Sequence, residues 1–217
     1  MIARPARVKP RLRGLPLQYA FFASLPALPV LLLASRTGRA AFAGTVYGLS
    51  LVALFGVSTL FHRVTWSAGT RRWMGRLDHA MINVLIAGTF TPFGLLVLSG
   101  TLATVSLALV WSGALAGILL HVLWIDAPKR LSAVVYVVLG WSGTAALPQL
   151  VSHVGWAPTA LLALGGALYS AGAAVYALRR PDPAPAVFGY HEVFHSLVVA
   201  AAGTHYAVVA LYVLPRA

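Results

Sequence analysis

Apolar runs of about 20 residues, repeated from end to end with only short polar breaks, constrain this chain more than any motif in it. A helix of roughly 20 residues crosses the hydrocarbon core of a bilayer and satisfies its own backbone there. With 59% hydrophobic residues, 9% charged residues and a mean hydropathy of +0.83 over 217 residues, a water-soluble domain could not hide its apolar surface. The pattern predicts seven spans, at approximately 16–35, 41–62, 78–98, 102–123, 131–150, 157–178 and 190–213. The expected fold is therefore an all-α integral membrane protein: a seven-transmembrane helix bundle over residues 16–213, behind a basic tail of residues 1–15. Glycine and proline are compatible with this, because neighbouring helices can re-satisfy the backbone groups they free.

Charge orients the bundle. The tail carries Arg4, Arg7, Lys9, Arg11 and Arg13, and the connection between the second and third spans carries Arg63, Arg71, Arg72 and Arg76. Lys129 with Arg130, and Arg179 with Arg180, fall on the same side, leaving Arg36, Arg39 and Arg216 on the other. The positive-inside rule then predicts a cytoplasmic N-terminus and an external C-terminus. The net charge of +12 follows from topology and from attraction to anionic headgroups, so it does not call for a nucleic-acid partner. The basic, proline-containing start argues against a cleavable signal peptide. With no cysteine, disulfides, thiolate metal sites and cysteine nucleophiles are excluded. No phosphate-binding glycine motif stands in a credible context. The alanine-, arginine- and leucine-rich composition suggests a bacterial inner membrane.

Against this background the stretch HEVFH at 191–195 stands out. Residues four apart share a helix face, so His191 and His195 can both reach one metal ion. Ionisable groups inside a bilayer are rare and usually functional. The predicted topology brings His62, at the end of span two, and Asp78, at the start of span three, to the depth of that pair. Three histidines from two helices, with an open fourth position, suit catalytic zinc. Asp78 could hold the reacting water or orient a ligand histidine. Ser58 lies one turn deeper than His62 on the same face. Zinc lowers the pKa of bound water to about 7 and polarises a carbonyl, which points to hydrolysis of a lipid amide or ester.

Each residue also has a plainer reading. The histidines could hydrogen-bond across helices, Asp78 could cap a helix or pair with Arg76, and Ser58 could fill a helix contact. His79 lies about 100° around the helix from Asp78 and is expected to hydrogen-bond or face the headgroups. His121 is a reserve ligand without a motif partner, and His153 falls in an outer loop. Glu192 points away from the histidine pair, so a zincin-like base role would need local unwinding. His205 follows His191 by about four turns, the spacing of paired haems, but no outer-half histidine within a span supplies its second axial ligand.

Four stretches together resemble the hemolysin III family, the bacterial branch of the progestin and adipoQ receptor superfamily. They are STLFH at 58–62, RRWMGRLDHAMINVLIAGTFTP at 71–92, YVVLGW at 136–141 and HEVFHSLVVAAAGTHY at 191–206. The resemblance implies a seven-helix fold with zinc near the cytoplasmic side. It carries the zinc ligands onto His62, His191 and His195, the water-holding aspartate onto Asp78 and the motif serine onto Ser58. Superfamily relatives are associated with ceramidase-like hydrolysis, and bacterial ones with cytolysis and membrane homeostasis. The chain departs from the family in the first helix, where RGLPLQYAFF puts Leu17 or Gln18 in the neighbourhood of a family histidine.

Three functions follow as expectations. The first is a zinc-dependent hydrolase acting on membrane lipids of ceramide type. The second is a receptor-like regulator whose zinc joins helices. The third is a pore or cytolysin, which the scarcity of outer-half polar residues and the four acidic residues disfavour.

Overall fold

The computed structural model describes residues 10–124 and 128–217, and within them the regular structure is helical, with one isolated bridge between Ala184 and Phe188 in a connection. Arg4, Arg7 and Lys9 of the basic tail lie outside the described residues. The helices are α1 (Leu15–Ala34), α2 (Gly38–Arg63), α3 (Ala68–Leu96), α4 (Gly100–Leu123), α5 (Lys129–Trp141), α6 (Leu147–Val154), α7 (Trp156–Leu178) and α8 (Tyr190–Val208). A π turn over Val209–Val213 and a 3-10 turn over Leu214–Arg216 extend α8.

Six of these elements are long and apolar enough to cross a membrane, and seven if the bent pair α5 and α6 is one span. That pair meets at 59°, across the 3-10 turn Ser142–Ala146. The expected fifth span is thus broken rather than straight. Pro148 stands at the start of α6 and cannot donate the hydrogen bond that would carry α5 onward. The Ser142 and Thr144 hydroxyls donate back to the carbonyls of Leu139 and Trp141, at 2.6 and 2.9 Å, and so hold the tight turn.

The third span also differs from its expected start. Helix α3 begins at Ala68, ten residues before the apolar window at 78, because the Ser67 side chain caps it by accepting from Thr70 N–H at 3.4 Å. A hydropathy window cannot see these polar turns. They carry Arg71, whose guanidinium lies 5.1 Å over the Phe61 ring, and Arg76, 4.4 Å over the Trp73 ring.

Burial separates an inner set of helices from an outer one. About half of each apolar window is buried in α2, α3 and α8 (50%, 56% and 50%), against 17–22% in α1, α4 and α7. Every proposed site residue sits on the inner three. Close approach of α2 and α3 depends on small residues: a Cβ at Gly88 would overlap the Ser50 side chain. Helix α8 packs mainly on α7 and also against α1, with Ala202 and Val208 in a core shared with Tyr47, Leu51, Leu54 and Leu85.

Candidate metal centre

Helix α2 delivers His62 in its last turn, and α8 delivers His191 and His195 in its first two turns. One nitrogen of each imidazole lies within 4.8 Å of the other two, and the ring centroids are 4.4 to 5.0 Å apart. His62 and His195 are buried and His191 is half-buried. Two nitrogens bound to one zinc at 2.0–2.1 Å stand at most about 4.2 Å apart, so small side-chain adjustments would bring the three into range. The chemistry of the set also fits a metal. Nδ1 of His195 is buried with no hydrogen-bond partner among the described residues, and such a nitrogen is costly to leave unsatisfied.

Asp78 lies ten residues into α3 and is neither a helix cap nor a partner of Arg76. Its Oδ2 stands 3.5 Å from Nε2 of His62, and the Ser58 hydroxyl is beside the same carboxylate. Ser58 is buried one turn before His62 on α2. All five expected site residues therefore converge at the end of the bundle that carries most of the basic residues.

The remaining histidines separate from this group. His79 Nε2 pairs with the Tyr176 hydroxyl at 3.2 Å, which gives it the hydrogen bond expected. His121, held in reserve as a ligand, is engaged at both nitrogens. Nδ1 is 2.6 Å from the Gly117 carbonyl, and Nε2 is 3.0 Å from the Tyr136 hydroxyl and 3.2 Å from that of Ser132. His205 Nε2 donates to the Leu162 carbonyl at 3.0 Å and packs against Tyr169. His153 is exposed as expected, although it lies in the last turn of helix α6 and not in a loop.

A cavity of about 260 Å³ opens beside the cluster. Asp78, His191 and His195 form part of one wall, and apolar side chains such as Leu85, Phe93 and Leu150 continue it along the bundle. Leu17 of α1 lines it too. Tyr136 and Tyr176 complete the polar end, and sequence reading missed both. Their only sequence signal is the presence of Tyr136 in YVVLGW, since a tyrosine near a helix end is ordinary in membrane proteins. Arg13, whose Nε lies 3.1 Å from Oε1 of Glu192 in the first turn of α8, was also missed as a neighbour of the site. The signal for its partner was GYHE at 189–192, which puts Glu192 at the third position of α8 and within reach of the Gly189 N–H.

Comparison with known proteins bears on this constellation. The sequence model described as "Haemolysin-III related" matches residues 7–206. The Hemolysin-3 homolog of Bacillus subtilis (strain 168) is 35% identical over 192 residues, covering 87% of each chain. The Hemolysin-3 of Bacillus cereus is 34% identical over 197 residues, 89% of this chain and 87% of its own. The human Monocyte to macrophage differentiation factor is 27% identical over 165 residues, 74% of this chain and 66% of its own.

Proposed function

This chain belongs to the haemolysin-III related family, and we propose that it is a zinc-dependent hydrolase of lipid amides working inside a bacterial inner membrane. The observation that carries the reading is the convergence of three imidazoles, two buried and one half-buried, on one point, with a carboxylate 3.5 Å from one of them, at the wall of a largely apolar cavity. We read α5 and α6 as one broken span. The bundle then crosses the membrane seven times, with its N-terminus and the site on the cytoplasmic side, as the basic loops favour.

His62, His191 and His195 would hold the ion. When bound, zinc supplies positive charge that polarises an acyl carbonyl. Asp78 accepts a hydrogen bond from the attacking water, takes its proton as the water oxygen bonds to the acyl carbon, and gives that proton to the amide nitrogen as the C–N bond breaks, acting as general base and then general acid. The Ser58 hydroxyl beside the Asp78 carboxylate orients it, and the surrounding burial keeps bulk water from competing. The apolar cavity takes the acyl chain, so the amide arrives from the bilayer with its polar end toward Asp78.

The test is an assay of zinc-loaded protein in lipid against ceramides and related lipid amides, with Asp78→Ala as control. Fatty-acid release that collapses in the variant while zinc content persists supports the hydrolase. Release unaffected by the substitution removes Asp78 from the chemistry. No release from any lipid amide favours a regulator in which the ion ties α2 to α8.

A further inference from the structure

Glu192 has no part in the reaction proposed above, yet its side chain is fully buried, at 0% exposure. Its two oxygens face different elements. Oε2 accepts from the Gly189 N–H at 3.0 Å and closes the first turn of α8. Oε1 lies 3.1 Å from Nε of Arg13, just ahead of α1. That contact is an ion pair by distance and lacks the alignment of a hydrogen bond, so charge holds it.

The segment carrying Arg13 is tied to the same region by its backbone. Arg11 N–H donates to the Ala186 carbonyl at 3.0 Å, and Leu12 N–H donates to that of Val187 at 3.1 Å. At Gly14 the chain turns into α1 with φ of +75°, so close to α2 that a Cβ there would stand 2.6 Å from Cβ of His62. Residues 10–14 therefore touch α2 at His62, the loop before α8 and, through Glu192, the first turn of α8, which bears His191 and leads into the turn of His195. An ion pair of this burial is a poor source of net stability, because desolvation offsets most of the attraction. Losing one partner, however, leaves a charge stranded in the interior.

We infer that Glu192 is a positioning residue of the metal centre and Arg13 its latch. Together they orient the first turn of α8, hold residues 10–14 closed across the basic end of the site, and set how fast metal enters and leaves. This rests on the reading of His62, His191 and His195 as metal ligands. Opening the latch removes no ligand, so the amount of metal bound stays the same and its exchange quickens.

The experiment loads the detergent-solubilised full chain with zinc and follows its transfer to an excess of the chromogenic chelator 4-(2-pyridylazo)resorcinol. Arg13→Ala and Glu192→Gln should each release zinc at least about tenfold faster, starting from the same zinc content. Arg13→Lys keeps the charge and should stay within about threefold of the unaltered chain. The glutamine at 192 still offers an acceptor to the Gly189 N–H, so α8 keeps its first turn in that variant. Equal release rates throughout would overturn the inference.

A second measurement does not depend on metal. The chain has no cysteine, so Leu17→Cys, at a residue 2% exposed in the first turn of α1, provides a single thiol. In the metal-free protein, Arg13→Ala should raise maleimide labelling of that thiol by about tenfold or more, and Arg13→Lys should not. Labelling that does not rise overturns the latch even if zinc binds as proposed. Labelling that rises in a chain unable to hold zinc supports the latch and removes the metal reading.

Discussion

His195 and His121 are equally buried, each 3% exposed, and they stand at the same end of the bundle, yet their surroundings differ in one decisive respect. Both nitrogens of His121 meet partners, and its ring stacks on Tyr136 at an interplanar angle of 11°. His195 has a buried Nδ1 with no hydrogen-bond partner among the described residues and two further imidazoles within 4.8 ångströms, the arrangement a cation would complete. Burial alone thus does not distinguish a structural histidine from a candidate ligand. What distinguishes them is whether the polar atoms are already satisfied.

The contrast can be broken most directly by removing one member from each group. His191→Ala or His195→Ala should take zinc from about one per chain to near none by elemental analysis, whereas His121→Ala should leave it unchanged. Full metal content in the His191→Ala/His195→Ala double variant would sink the metal centre. Asp78→Ala comes next: zinc should be retained while lipid amide hydrolysis falls by about 10²- to 10⁴-fold, the range for loss of a general base.

Smaller effects sharpen the other side. His121→Phe keeps a ring against Tyr136 but removes the nitrogen that the Ser132 and Tyr136 hydroxyls share, leaving Tyr136 only its longer bond, 3.4 Å, to the His79 carbonyl. It should cost about 1–2 kcal/mol in denaturant unfolding of the solubilised protein, with metal content intact. Gly14→Ala should cost about 1 kcal/mol, because alanine resists a φ of +75°. By crowding His62 it should also weaken zinc binding measurably. An unchanged zinc affinity would show that the α1 turn does not bear on the ligand.

Much of the fold was legible because a bilayer demands long apolar helices whatever their packing. Helices α1, α2, α4, α7 and α8 begin within a few residues of their expected positions. The early start of α3 and the break after Trp141 were not legible, since a capping serine and a single proline act on the backbone and leave average hydropathy nearly untouched. The site divides in the same way. His191 and His195 follow from helical spacing, and His62 and Asp78 from topology and motif order. Tyr136, Tyr176 and Arg13 come from separate elements, and nothing in their local sequence announces a common destination.

The sequence by itself determined that this chain builds a polytopic helical bundle, which loops are basic and which residue types could meet a metal, because hydropathy, charge and helical period are local properties. Only the tertiary structure decided which buried histidines were already hydrogen-bonded. It also turned Glu192 from a neighbour of the histidine pair into the acid that joins Arg13 to the start of α8. The physical reason is that satisfaction of a polar atom depends on what other helices bring within about 3 Å of it, and that distance is set by packing across the whole bundle.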